Sequence, residues 1–194
     1  MSEVDEFRTR DGSRLMVRPI SPVDAAGLVA LHARLSADTI YRRYFGARPH
    51  LSPADVDRFT RIDEDWRFAL VAVREPADLM AVARYEGSPG SRSAEIAVVV
   101  DDALQHQGVG RALLERLVDV AAECGLDALV ADVLSANSPM LRLLVALGLP
   151  ARTVRDGTTN TVTVDLTGRA LSDEQRARAL AHVAAARAHD TPGP

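Results

Sequence analysis

Two spacings of apolar residues divide the chain into short predicted strands and helices. Runs in which apolar residues alternate or follow one another directly predict strands. These runs cover residues 14–20, 68–73, 79–85, 94–101, 128–134, 152–154 and 161–166. Segments in which apolar residues recur every three or four positions predict helices. These segments cover residues 22–35, 38–45, a short stretch from 53, 108–124, 138–147 and 172–189. The polar stretches 1–10 and 102–107 predict a lead-in and a loop.

The order of these elements predicts an α+β fold with an α/β-like second half. Short connections between the three strands within residues 68–101 favour antiparallel pairing. The strand, helix and strand across residues 94–134 favour a parallel, right-handed crossover. The expected architecture is one mixed, mostly antiparallel central sheet flanked by helices, with an Ala-rich C-terminal helix. We expect one domain over residues 12–167 and a helical extension and tail over residues 168–194.

Composition excludes several classes of protein. The chain has 194 residues, a net charge of −4 and 23 basic residues, all of which are arginine. Without lysine there is no Walker-A site, no pyridoxal phosphate Schiff base and no kinase-type strand lysine. The single Cys124 and the spacing of the five histidines predict no metal site. The acidic balance argues against nucleic-acid binding, and no apolar run reaches the length of a membrane span. The polar N-terminus does not resemble a signal peptide, so we expect a reduced, cytoplasmic location.

Two glycines at the start of the 108–124 helix are the most informative feature of the sequence. Gln105, Gly108 and Gly110 stand between an apolar strand and an amphipathic helix. The unpaired N–H groups and the dipole of a helix N-terminus favour an anion such as pyrophosphate. An ordinary helix start, a dinucleotide site and a coenzyme A site all remain open on this evidence. Asp132 lies where a ribose-binding acid would stand, but Leu113 occupies the third glycine position of the dinucleotide motif.

The spacing Gln105-x-x-Gly108-x-Gly110 resembles the pyrophosphate loop of the GNAT superfamily of N-acetyltransferases. The loop follows an apolar strand, as it does in that family. Asn137 opens a helix that ends at Gly148, and this segment resembles a second motif of the same family. The resemblance covers residues 14–166, and it implies the GNAT fold and acetyl-CoA as cosubstrate.

A narrower resemblance concerns the acceptor. Residues 17–20, 35–45 and 94–100 resemble the acetyltransferase domain of Pat-type bacterial protein-lysine acetyltransferases. This implies transfer of an acetyl group to a protein lysine, and it allows a homodimer. Two alternatives stay open: acetylation of a small amine, and an acyl-CoA-binding module without catalysis.

The resemblance implies a general base and a binding surface for the cofactor. Glu95 matches the glutamate that serves as general base, and as the only carboxylate in an apolar run it is expected to be buried, which would raise its pKa. The alternative is a glutamate on the solvent face of an alternating strand. The backbone of Val98, Val99 and Val100 is expected to hold the pantetheine arm and polarise the thioester carbonyl. The pyrophosphate is expected at Gln105, Gln107, Gly108, Val109, Gly110 and Arg111.

The remaining candidates carry two interpretations each. Asn137 is expected to bind pantetheine or to cap the helix that follows it. Leu144 stands where the family's helix often carries a tyrosine that protonates the thiolate of CoA, a role that a thiol leaving group hardly needs. Tyr41 and Tyr44 are expected in the core, with the acceptor entrance as the alternative. Cys124 is expected to be a core residue and not a nucleophile.

Two polar features are expected to lie in solvent. His106 stands in the glycine loop, where exposure is expected and contact with a phosphate is the alternative. The acidic residues 63–65 are expected to form a solvated turn, or else to steer a cationic amine towards the site.

Overall fold

Eight strands form one continuous sheet in the computed structural model, which describes residues 5–62 and 66–190. The strands are β1 (Glu6–Arg8), β2 (Arg14–Pro19), β3 (Arg67–Arg74), β4 (Asp78–Gly87), β5 (Ser93–Val100), β6 (Ala128–Leu134), β7 (Ala151–Asp156) and β8 (Thr159–Asp165). Their order across the sheet is β1-β2-β3-β4-β5-β6-β8-β7. All neighbours are antiparallel except β5 and β6, which are parallel. The predicted mixed, mostly antiparallel sheet is therefore confirmed.

Helices flank this sheet in the described part of the chain. They are α1 (Ala25–Arg34), α2 (Ala37–Tyr44), α3 (Pro53–Thr60), α4 (Val109–Glu123), α5 (Ser138–Val145) and α6 (Asp173–Asp190). Ser36 caps α2, and Ser52 forms a capping box with Asp55 at the start of α3. Ser172 and Gln175 form the predicted capping box of α6. The signal at Pro22 starts a short 3-10 turn, so α1 begins later than predicted.

β1 is an edge strand in a segment that the sequence pattern assigns to a polar lead-in, and that prediction is wrong for residues 6–8. The strand runs antiparallel to β2, with Phe7 opposite Leu15. Phe7 packs against the main core, while Glu6 pairs with Arg8 and Arg14 at the surface. The sequence does not predict this strand, because a single apolar residue between two charged residues is too short a pattern to indicate alternation.

The two faces of the sheet carry separate clusters of buried apolar residues. α4 and α6 cover one face, where Leu113, Leu117 and Val183 belong to one cluster with the sheet. α1 covers the other face through Leu28 and Leu31. The strands between these layers, β5 among them, are therefore held on a packed core. The C-terminal helix belongs to the same core as the sheet.

A partly buried carboxylate joins the N-terminal segment to α4 and α6. Asp5 accepts hydrogen bonds from Arg116 at 2.6 and 2.7 Å, and its Oδ2 lies 2.8 Å from His182 Nε2. Burial alone would raise the pKa of Asp5, but the hydrogen bonds from His182 and Arg116 outweigh it and hold the pKa well below its usual value. Asp5 is therefore ionised at neutral pH and fixes these three elements to one another.

Candidate active site

β5 and β6 pair at their N-terminal ends and then diverge. Their pairing ends at Glu95 and Val130, although β5 stays paired with β4 beyond this point. The N–H of Asp101 donates to β4 at 2.9 Å. Because successive peptide groups of a strand point in opposite directions, the N–H groups of Val98 and Val100 face the gap between β5 and β6. An extended ligand can pair with these groups as an added strand would.

A cleft of about 410 Å³ occupies this gap. Its walls come from β5, the loop before α4, the first turn of α4, the end of β6 and α5. Nine of the residues predicted from the sequence line it: Glu95, Val98, Val99, Val100, Gln105, Gly108, Gly110, Arg111 and Asn137. Further lining residues that the sequence did not indicate include Arg10, Thr39, Arg43, Pro139, Met140 and Leu143. The fold thus brings most of the predicted cofactor residues to one continuous surface.

α4 begins at the edge of the cleft. Gly108 has a φ of 90°, a backbone conformation that other residues rarely adopt. The N–H of Ala112 donates to the Gly108 carbonyl at 3.0 Å, so the N–H groups of Val109, Gly110 and Arg111 precede the helical ladder. These donors and the dipole of a helix of 15 residues favour a phosphate group at this end of the cleft.

Gly110 lies between β5 and α5. A Cβ at this position would lie 3.4 Å from side-chain carbons of Leu143 and of Val100. A longer side chain would displace these residues or project into the cleft. The glycine therefore keeps the start of α4 accessible to a ligand.

The other loop residues contribute in different ways. Gln105 Nε2 donates to Asp102 Oδ1 at 2.9 Å and to Thr39 Oγ1 at 3.1 Å, which fastens the loop to α2. Val109 is buried in the core, and neither it nor Gln107 lines the cleft. Any contact of Gln107 or Val109 with a ligand in the cleft therefore comes from the main chain.

Arg10 is a lining residue that the sequence did not reveal. Its guanidinium donates to the His106 carbonyl at 3.0 Å, and its backbone N–H donates to the Gln107 carbonyl at 3.2 Å. Arg111 lines the same end of the cleft and donates to Glu115 at 2.7 Å. An isolated arginine outside any periodic segment gives no sequence signal. His106 is exposed, as expected.

α5 presents a capped N-terminus and an aliphatic side to the cleft. Asn137 Oδ1 accepts a hydrogen bond from the Met140 N–H at 3.3 Å, so Asn137 caps α5. Capping is one of the two roles expected for this residue. This leaves the Nδ2 donors of Asn137 for a ligand. Leu144 is only 2% exposed and belongs to the core, whereas Leu143 lines the cleft. The position at which the family often has a tyrosine is therefore occupied by a buried leucine, Leu144, which has no hydroxyl group.

Glu95 is exposed, so the expectation that it is buried is wrong. The strand alternates at this point, with Ala94 and Ile96 buried on the other face. The solvent-face alternative therefore describes the orientation of Glu95. The residue nevertheless lines the cleft, at the last pair between β5 and β6.

A second, polar cavity of about 560 Å³ meets the cleft at Arg43, Glu95 and Ala97, which line both. We call it the arginine cavity, because its walls carry four arginines and two glutamates. These are Arg43, Arg48, Arg58, Arg84, Glu86 and Glu95. The cleft and the arginine cavity thus open onto the same carboxylate from two sides.

Asp132 lines the cleft at the end of β6, whereas Tyr41, Tyr44 and Cys124 do not line it. Tyr41 is 52% exposed, so its assignment to the core is wrong. Tyr44 is partly buried and lines the arginine cavity, with its ring centroid 5.8 Å from that of His32. Cys124 is partly buried and packs against the core at the end of α4. The acidic residues 63–65 lie outside the described residues.

The chain matches a known protein family. The model of the acetyltransferase (GNAT) family matches residues 35–149. The chain belongs to the GNAT family of acetyltransferases. The GNAT fold and the acetyltransferase class predicted from the pyrophosphate loop are therefore confirmed.

Individual GNAT proteins resemble the chain over most of its length. The acetyltransferase PA5475 of Pseudomonas aeruginosa is 30% identical over 155 residues, which are 78% of this chain and 83% of that protein. The crystal structure of the GNAT domain of S. lividans PAT is 34% identical and has a TM-score of 0.76, covering 84% of this chain and 96% of that one. The structure of yncA from Salmonella typhimurium with its cofactor acetyl-CoA has 22% identity and a TM-score of 0.64, covering 83% and 99%. This last likeness shows the fold alone.

The cleft of this GNAT protein fits acetyl-CoA by the chemistry of its walls. Main-chain groups of Val98 and Val100 face the gap and suit the amides of a pantetheine arm. The helix start at Gly108 suits a pyrophosphate, and Arg10 and Arg111 add positive charge there. Polar donors therefore stand at the two places where an extended acyl-CoA carries polar groups.

Residues 5–62 and 66–190 were considered for two further features, a metal site and a membrane-spanning helix. Within them, no group of three or more His, Cys, Asp or Glu side chains is placed to hold a metal ion. No helix in these ranges has the length and apolar character needed to cross a membrane.

Proposed function

We propose that this protein is an N-acetyltransferase that moves the acetyl group of acetyl-CoA directly to a primary amine, with Glu95 as the general base. The position of Glu95 carries the proposal. The residue lies at the last pair between β5 and β6, and it lines both the cleft and the arginine cavity. An amine that enters from the arginine cavity therefore meets a thioester held in the cleft at this carboxylate.

Main-chain groups bind and orient the cofactor in this proposal. Bound acetyl-CoA supplies an activated acetyl group as a thioester. The N–H groups of Val98 and Val100 hold the pantetheine arm and donate towards the thioester carbonyl oxygen. The N–H groups of Gly110 and Arg111 hold the pyrophosphate, with Asn137 Nδ2 as a further donor along the cleft.

Glu95 is the general base that accepts a proton from the acceptor amine. An alkyl amine has a pKa of about 10.4, so only about one molecule in two thousand is neutral at pH 7. Glu95 attracts the ammonium form and accepts, directly or through water, the proton whose loss gives the neutral amine. The second N–H proton passes to water as the C–N bond forms and the C–S bond breaks. Such a base contributes typically ~10²–10⁴-fold to the rate. The thiolate leaves with a pKa of about 8–9 and takes its proton from solvent.

Two observations favour different acceptors. The likeness to the GNAT domain of S. lividans PAT supports a protein lysine, which the Pat-type resemblance of the sequence also implies. The arginine cavity instead supports a small amine that carries an acidic group. Both acceptors use the same cleft and the same base.

Turnover and binding measured together test the proposal. We expect acetyl-CoA to bind the wild-type protein in calorimetry, and free CoA thiol to appear when the accepted amine is added. The amine panel contains lysine peptides, amino acids and polyamines. Binding of acetyl-CoA without thiol release for any of these amines would contradict the catalytic proposal and favour an acyl-CoA-binding module.

A further inference from the structure

Two arginines of the arginine cavity have no carboxylate partner. Arg58 pairs with Glu86, and Arg48 pairs with Asp55 at 2.6 Å. Within the described ranges, neither Arg43 nor Arg84 forms an ion pair. The cavity lining therefore carries four guanidiniums against two carboxylates, an excess of positive charge.

Both of these guanidiniums are partly buried against aromatic rings. The guanidinium carbon of Arg43 lies 5.0 Å from the centroid of the Tyr44 ring, and the guanidinium donates no hydrogen bond to another described residue. Arg84 lies 4.3 Å from the centroid of the Phe59 ring, and its Nη2 donates to the Phe59 carbonyl at 2.7 Å. A guanidinium carries five N–H donors, so most donors of this pair have no partner among the described residues.

Burial acts on the charge of both side chains. It lowers the pKa of Arg43, and it lowers the pKa of Arg84 to about 10. Both side chains are still charged at neutral pH. A partly desolvated cation without a counterion is costly to maintain, and a bound anion relieves that cost.

The two arginines lie close to the proposed base. Arg84 is the cross-strand partner of Ala97, which is two residues from Glu95 on the same face of β5. Diagonal positions of this kind are about 7–8 Å apart. Arg43 and Glu95 both line the cavity and the cleft. An anion at the arginines and an ammonium group at Glu95 can therefore belong to one small molecule.

We propose that Arg43 and Arg84 bind the carboxylate of the acceptor, and that the acceptor is a free amino acid. A planar guanidinium matches a carboxylate with two parallel hydrogen bonds. A cavity of about 560 Å³ has the size of a small-ligand site. The four arginines repel a polyamine, and the side-chain amine of a protein lysine carries no carboxylate at this distance. The inference rests on the proposed acetyl transfer and specifies its acceptor.

Matched pairs of acceptors test the inference in the full chain. Each pair consists of an amino acid and the amine that its decarboxylation gives, such as phenylalanine with phenethylamine and lysine with cadaverine. We expect kcat/KM to favour the amino acid by at least about tenfold, the effect of a charge-assisted hydrogen-bond pair. Arg43→Gln and Arg84→Lys should each reduce this preference, mainly by raising KM for the amino acid.

Arg92→Gln is the matched control. Arg92 is exposed, pairs with Asp127 at 2.5 Å and lines neither cavity. The preference for amino acids should be unchanged in this variant. Melting temperatures of all variants show whether a loss of preference comes from unfolding, and Arg84→Lys keeps the charge of that side chain.

Binding of a carboxylate without an amine separates this inference from the proposed function. In calorimetry with CoA present, hydrocinnamate should bind the wild-type protein and should bind Arg43→Gln at least about tenfold more weakly. Turnover of lysine peptides or cadaverine equal to that of amino acids, with no binding of hydrocinnamate, would overturn the inference and leave acetyl transfer intact. Hydrocinnamate binding that depends on Arg43, without turnover of any amine, would support the anion site and refute the proposed catalysis.

Discussion

Glu95 lies directly opposite Glu86 on the antiparallel β4–β5 pair. Like charges at facing positions of one sheet face repel each other, so this pair needs nearby cations. Arg58 pairs with Glu86, and Arg43 interacts electrostatically with both glutamates. The two carboxylates therefore differ: Glu86 is held in an ion pair, while Glu95 has no ion-pair partner among the described residues and lines the cleft as well.

This difference makes Glu86 the matched control for the proposed base. Glu95→Gln keeps the size of the side chain and removes its basicity, so kcat should fall at least ~10²-fold with little change in acetyl-CoA affinity. Glu86→Gln should affect kcat much less, because Glu86 lines only the arginine cavity. Steady-state kinetics of the two variants, with calorimetry for acetyl-CoA, checks both expectations. Near wild-type turnover of Glu95→Gln from about pH 6 to 9 would show that the proton leaves by another route.

The pyrophosphate position is tested at Gly110. Gly110→Glu adds bulk and negative charge at the start of α4, so CoA affinity should fall at least about tenfold. Gly46→Glu adds the same charge at a position with open space around it and outside the cleft. Calorimetry with CoA, combined with circular dichroism for the fold, compares the two variants. Unchanged affinity in a folded Gly110→Glu protein would reject the assignment of this helix start.

Much of the fold could be predicted from the sequence, because long apolar runs and capping residues depend directly on local structure. The crossover between β5 and β6 is an example. An apolar strand, an amphipathic helix that begins at a glycine, and a second apolar strand predict a parallel, right-handed connection. β1 could not be predicted, since its one partly buried residue, Phe7, has no apolar neighbour at the spacing of a strand. Its position depends on packing against residues far along the chain.

The candidate site was predictable only in part. The loop from Gln105 to Arg111 has a recognisable motif, and it lies in the predicted crossover between β5 and β6. The arginine cavity has no such motif, because Arg43, Arg58 and Arg84 come from three different elements. For Glu95, strand alternation allowed either orientation, and how the helices cover the sheet decided that its side chain is exposed.

The partly buried carboxylate of Asp5 predicts a dependence of stability on pH. Asp5→Ala leaves Arg116 and His182 without their carboxylate partner at a cost of about 1–3 kcal/mol, so it should lower the melting temperature. The pKa of Asp5 is lowered in the folded protein. Its contribution is therefore present above the unfolded pKa of about 3.9, and it is lost as the pH falls from there towards the folded pKa.

Thermal denaturation of wild type and Asp5→Ala at several pH values measures this contribution. The difference between the two proteins should be large at neutral pH and should shrink below about pH 4. Asp127→Ala, which removes the exposed partner of Arg92, should change the melting temperature much less. A difference that persists undiminished in acid would show that Asp5 acts by packing and not by its charge.

The absence of lysine gives a prediction about self-acetylation. All 23 basic residues are arginine, so the only primary amine of this sequence is its N-terminal one. That amine has a pKa of about 7.7–8.0 and is more often neutral than a lysine. Incubation with acetyl-CoA should therefore add at most one amine-linked acetyl group, measured by intact mass and located in the first peptide. A further acetyl group that resists hydroxylamine would contradict this and identify a hydroxyl acceptor. A group that hydroxylamine removes would instead indicate a thioester at Cys124, and so a covalent route in place of direct transfer.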